Sequence, residues 1–167
     1  RCHRDVARER AGPAEALKVE LKWTPADDVA GHKSGWSLLL YACCAGDTAA
    51  VEELLQNEGV RASVNRGLDR EHHPNMPAMF KGTRPLHVAL AKVGPRTLDA
   101  LLEARADPFA RTNLGMDALM VACITGNKEN VKYWLQRYPG WPLENRDKAS
   151  DLTTLCWTCS AGWADYE

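Results

Sequence analysis

Gly82-Thr83-Arg84-Pro85-Leu86-His87-Val88-Ala89 decides the reading of this chain, because its pattern returns 33 residues later as Gly115-Met116-Asp117-Ala118-Leu119-Met120-Val121-Ala122. The pattern also stands upstream as Gly35-Trp36-Ser37-Leu38-Leu39-Leu40-Tyr41-Ala42. It stands in part downstream as Asp151-Leu152-Thr153-Thr154-Leu155-Cys156-Trp157-Thr158. Three copies and a fragment at a fixed period mark a solenoid, whose units bury an apolar face only by stacking on their neighbours.

From Gly35 a first helix is expected over about Ser37 to Ala45, ended by Gly46, and a second from about Thr48 to Asn57. Val51, Leu54 and Leu55 then fall on one face of that second helix. Gly46 and Gly126 suit the tight turn between antiparallel helices, where a positive φ favours glycine. Val93-Gly94-Pro95 displaces the glycine by one residue, so that turn is expected to differ. The interval from Gly35 to Gly82 is 47 residues, 14 beyond the basic period, which marks an insertion. Residues 66–80, with Gly67, His72, His73, Pro74, Asn75 and Pro77, have the composition of a loop. Pro139, Gly140 and Pro142 stop a helix near Arg137. A last helix is expected from Thr153 to Ala161, before Gly162 and Trp163, which leaves the fourth unit cut in half.

Residues 1–34 lie outside the repeats. Leu17, Val19, Leu21 and Trp23 alternate with Lys18, Glu20 and Lys22 in the period of a strand, whereas Pro13 ahead of Ala14-Glu15-Ala16-Leu17 suits a helix start. A short helix or irregular cap is the favoured reading, because an all-helical solenoid offers a lone strand no sheet to join. Leu38, Leu39 and Leu40 of the first unit need such cover.

Pro85-Leu86-His87, Ala89, Gly46 and Gly126, with Val51-Glu52-Glu53-Leu54-Leu55, Leu98-Asp99-Ala100-Leu101-Leu102 and Val131-Lys132-Tyr133-Trp134-Leu135, resemble the ankyrin repeat over about residues 33–162. The resemblance implies an all-α ankyrin-repeat solenoid of stacked antiparallel helix pairs with hairpin-like finger turns. The repeat domain is placed at 35–162, with repeats at about 35–65, 82–114 and 115–150 and a partial repeat at 151–162. The insertion at 66–80 falls at the tip of a finger, an N-terminal cap or linker covers 1–34, and a truncated tail covers 163–167.

At 167 residues, 45% hydrophobic and a net charge of −1, the composition is that of one ordinary globular domain. The near-neutral balance argues against a nucleic-acid groove or an anionic membrane as the main target. No apolar run approaches the roughly 20 residues that span a bilayer. The chain begins at Arg1 and shows no secretory signal, so an excerpt of a longer polypeptide or a processed product is expected. Cys43, Cys123 and Cys159 each stand eight residues after the residue that opens their repeat. The resemblance implies a small-residue packing position there, where a free cysteine behaves as a small hydrophobe. A reducing, intracellular compartment follows as the expectation, the cytoplasm first and the nucleus second.

Candidate chemistry is sparse. Cys156-Trp157-Thr158-Cys159 has the spacing of a dithiol or half a zinc site, but a structural zinc needs two more ligands and none lies nearby in sequence. Ordinary repeat residues are the favoured reading of Cys156 and Cys159, with a metal or redox sensor as the weaker one. His87 has a pKa suited to a general base, yet the resemblance implies that it bonds turn backbone and ties one repeat to the next. Arg84 stands where the family usually has Thr. The adjacent His72 and His73 suit a solvated loop better than a metal. No phosphate loop, nucleophile elbow or zinc-helix motif occurs, so neither catalysis nor a cofactor is expected.

What remains is a surface. The resemblance implies that another protein binds a concave face built from finger residues and the outer side of each first helix. In this chain that places Lys33, Ser34, Trp36, Cys44 and Ala45 on the face, then Lys81, Thr83, Ala91 and Lys92, then Asn113, Leu114, Met116, Ile124 and Thr125. Trp36, Leu114, Met116 and Ile124 would form an exposed apolar strip. For Trp36 a second reading stays open, in which it folds over its own finger or packs on the insertion. The implied function is a non-catalytic protein–protein interaction module, a scaffold or targeting domain with no nucleic-acid partner and no membrane insertion. The alternative is a regulatory or substrate-recruiting segment of a larger enzyme such as a kinase or ubiquitin ligase.

Overall fold

The periodic apolar runs become helices. The computed structural model describes residues 12–22, 35–69 and 80–160, which contain nine helices and no strand. These are α1 (Pro13–Leu21), α2 (Leu38–Ala45), α3 (Thr48–Leu54), α4 (Glu58–Ala62), α5 (Pro85–Lys92), α6 (Pro95–Glu103), α7 (Ala118–Thr125), α8 (Lys128–Arg137) and α9 (Thr154–Ser160). Trp23, Lys33, Ser34, His72, His73, Ala161, Gly162 and Trp163 lie outside the described residues.

Each pair of helices is an antiparallel unit: α2 with α3, α5 with α6, α7 with α8. The first helices pack in the order α2, α5, α7, α9, and α3 packs on α6. Helix starts are specified locally. Ser37 Oγ accepts from the Leu40 N–H at 3.1 Å and Asp117 Oδ1 from Met120 N–H at 3.0 Å, each relieving a free donor at the first turn. Asp47 and Asn127 cap α3 and α8 in the same way. Gly46 and Gly126 end α2 and α7 at φ 71° and 76°, as their positions require. The turn after α5 differs: Val93 is extended, Gly94 has φ −93°, and Pro95 opens α6. Asn130 replaces the missing glycine turn, its Nδ2 donating to the carbonyls of Leu90 at 2.9 Å and of Ala89 and Val93.

The second helix of the first unit is shorter than expected. It stops at Leu54 rather than Asn57, because Asn57 caps a new helix, accepting from Gly59 and Val60 N–H. At the N-terminus the helical reading holds. Ala14 and Leu17 of α1 bury against α2 and α3, and the Glu53 carboxylate accepts from the Ala14 N–H at 3.0 Å. Residues 13–21 thus cover the leucines of α2.

On the second-helix side, Arg96 forks onto Glu52 at 2.5 and 2.8 Å, and Arg137 pairs with Asp99 at 2.9 Å. Tyr133 also donates to Asp99. These exposed links join neighbouring units and, being solvent-screened, contribute little to stability. The main stability lies in the continuous apolar core from Leu17 through Leu39, Leu86 and Leu98 to Leu119 and Trp134.

Candidate functional site

Three hairpin-like fingers stand side by side next to the first helices. Within them the backbone folds back on itself: Leu68 N–H donates to Thr83 O at 2.8 Å, Thr112 N–H to Met116 O at 2.9 Å, and Asp147 N–H to Leu152 O at 3.0 Å. Neighbouring fingers are then joined by backbone: Asp69 N–H to Gly35 O at 3.4 Å, Asn113 N–H to Lys81 O at 2.9 Å and Lys148 N–H to Leu114 O at 2.7 Å. Gly115 is needed at the last junction. Its φ is 77°, and a Cβ there would lie 2.8 Å from Lys148 Cγ.

The last of these fingers is organised by one side chain. Asp147 accepts from the N–H groups of Ala149, Ser150 and Leu152 and from Trp157 Nε1–H at 2.6 to 3.1 Å. Burial works to raise its pKa, but these donors outweigh burial and hold the carboxyl below the usual carboxylate range. Trp157 is thereby locked over the adjoining surface.

A second, smaller apolar cluster lies on this side, separate from the main core. Ala91, Met116, Met120 and Val121 form its buried base, and half-buried Phe80, Leu114, Ile124 and Trp157 pack on it. Leu114 and Ile124 keep part of their surface, as does Cys44 on α2. Lys81, Lys92, Asn113 and Thr125 are exposed around them.

Four expected contact residues are not available to a partner, one being Ala91, buried in the base of the small cluster. Trp36 is 2% exposed and packs on Tyr41 with ring centroids 4.7 Å apart, so it belongs to the main core. Thr83 is fully buried, its Oγ1 accepting from Phe80 N–H at 3.1 Å to close its finger. Met116 is 2% exposed because it is the base of the small cluster. The expected strip therefore shrinks to Leu114 and Ile124 and gains Phe80 and Trp157. Those two come from distant segments, so no local pattern announces them.

His87 is fully buried, and burial with the Arg84 charge pushes its pKa down to about 4. Nδ1 accepts the Arg84 N–H at 3.2 Å, which caps α5 where the guanidinium, having no acceptor, is unable to. The ring lies against the backbone of Ala110 and, in the next unit, of Met116, with Nε2 buried. That placement suits a neutral structural imidazole, with no route to a substrate proton. Arg84 itself pairs with Asp107 at 3.5 Å.

The cysteines divide. Cys43 and Cys123 are buried at equivalent core positions, and burial raises both thiols, Cys123 to about 12. Cys44 is also pushed up to about 12 by burial, partly offset by Lys92. Cys159 departs from the packing position expected for it: it is exposed, like Cys156 and the 70% exposed Leu155, on the outer face of α9. Hydrogen bonding from Thr153 holds the Cys156 thiol below its ordinary value. Among the described residues no group of three or more His, Cys, Asp or Glu could hold a metal ion. No described helix is long and apolar enough to cross a membrane.

Compared with known families, residues 34–67 match the family model of the ankyrin repeat. No curated protein matches the chain in a sequence comparison.

Proposed function

We propose that the finger and first-helix face of this chain, which matches the ankyrin repeat over residues 34–67, binds a partner protein without catalysis. Ankyrin repeats are generally non-catalytic interaction modules. The observation that carries the reading to this face is the small apolar cluster. It holds Phe80, Leu114, Ile124 and Trp157 half-buried, at a place where the fold itself leaves apolar area in water. Backbone bonds between fingers hold the finger backbone in place before binding, which lowers the ordering cost. The free buried thiols suit a reducing intracellular compartment.

Affinity capture with the 167-residue chain tests the reading. Leu114→Ser with Ile124→Ser should abolish recovery of a partner, while Glu103→Lys on the opposite helix layer should leave it intact. Equal recovery by all three proteins, with equal circular dichroism spectra, would remove this face from the reading.

A further inference from the structure

Charge is nearly absent from the first helices, although the chain carries 21 Lys and Arg against 22 Asp and Glu. The four first helices carry one ionised side chain between them, Lys92. The second helices α3, α6 and α8 carry charge of both signs, Glu52, Glu53, Asp99, Glu103 and Glu129 with Arg96, Lys128, Lys132 and Arg137. On the fingers, Lys81 and Lys148 are exposed and flank Asn113 and Leu114 through the junction bonds at 2.9 and 2.7 Å. Lys92 stands at the opposite edge, beside Cys44. None of the three lysines has an ion-pair partner among the described residues. The finger acids are mostly engaged: Asp107 with Arg84, Asp151 with Arg146 at 3.1 Å, Asp147 with four N–H groups. Asp69, on the first finger, and Glu144, ahead of the last one, are exposed and outside these pairs.

We propose that this face, between the fingers and α5, α7 and α9, binds an extended segment of the partner in which acidic side chains alternate with apolar ones. The inference rests on the reading of the face as a binding surface. Apolar side chains of the segment meet Phe80, Leu114, Ile124 and Trp157, and carboxylates on its two edges meet Lys81 and Lys148 on one side and Lys92 on the other. Complementary charge of this kind sets register and speeds encounter. A nucleic-acid strand fits less well. The finger arginines Arg84 and Arg146 are paired with Asp107 and Asp151, the centre is apolar, and phosphate binding draws its affinity from many cations.

The test pans a random 12-residue peptide library, displayed on phage, over the immobilised 167-residue chain. Selected peptides are then measured by fluorescence anisotropy. Two variants serve as comparisons: one carries Lys81→Glu, Lys92→Glu and Lys148→Glu, the other Leu114→Ser and Ile124→Ser. All three lysines are exposed, so the charge variant should keep the parent's circular dichroism spectrum; if it does not, the three single Lys→Ala variants replace it.

The expected result is enrichment of Asp and Glu beside Leu, Ile, Phe or Trp. Binding should weaken at least about tenfold on charge reversal and further as salt rises from about 50 to about 300 mM. Neutral or basic peptides that still depend on Leu114 and Ile124 would overturn the acidic segment and leave the binding face standing. Peptides indifferent to both variants, or no selection at all, would overturn the face and the inference together. A fluorescein-labelled 20-nucleotide single strand that binds more tightly than the peptides, and is lost on charge reversal, would overturn it in favour of nucleic acid.

Discussion

His87 makes the stability of this solenoid depend on pH in a window that can be worked out. In the unfolded chain its imidazole takes a proton near pH 6.5, whereas in the folded chain burial, with the Arg84 charge, delays that to about pH 4. Between these values the unfolded state holds more protons, so stability falls as pH falls from 6.5 to 4 and is fully present above 6.5. The full shift corresponds to about 3 kcal/mol, of which about 2 kcal/mol is lost by pH 5.

Two other buried carboxyls titrate nearby. Burial raises Asp117, so its protonation favours the folded state as pH falls, and Asp147 is held low, so its contribution is lost only in stronger acid. Subtracting a His87→Gln variant removes both to first order. Urea unfolding of the two proteins at half-unit steps from pH 4.5 to 7.5 should give a difference that shrinks by about 2 kcal/mol between pH 7 and 5. A flat difference, or an NMR titration placing the His87 ring near 6.5, would refute the assignment of a buried neutral imidazole.

Arg105, just after α6, sits at φ 68° without being glycine. Arg105→Gly should therefore stabilise by about 1 kcal/mol and raise Tm by a few degrees; an unchanged Tm would show that no strain is held there. Asn130→Ala removes the donor to three carbonyls at the end of α5 and should cost about 2 kcal/mol in urea unfolding. Asn130→Asp should cost more at neutral pH, since a carboxylate then faces carbonyl oxygens, and the gap should close in acid. In timed alkylation at pH 7.5 read by mass spectrometry, Cys156 should label before the buried Cys43 and Cys123, which should react only on unfolding. Early labelling of Cys123 would contradict the packing of α7.

The helix layout was readable because each unit repeats its own punctuation. Ser37, Arg84, Asp117 and Thr153 stand at one register two residues into the repeat, and three of the four cap a helix with a side-chain oxygen. The early end of α3 was also readable in principle, since Asn57 ahead of Glu58 is a helix-start signal inside the expected second helix. The binding face was harder. Met116 and Leu114 are neighbours but point to opposite fates, one as the base of a cluster and one as its rim, and that choice depends on Phe80 and Trp157 arriving from other fingers. The burial of Trp36 is likewise set by its approach to Tyr41 across the turn, which apolarity and position within the repeat leave undetermined.

The pairing of Leu68 with Gly82 and Thr83, two backbone bonds of 2.8 Å, draws the chain together where it leaves at Asp69 and returns at Phe80. The ends of any segment spliced between those residues are already held at a fixed spacing by the scaffold. Doubling the length of such a segment costs only about 0.6 kcal/mol in closure entropy. This makes the site a natural cassette. A reporter, an epitope or a second recognition loop exchanged there is expected to leave the stacking of the units intact.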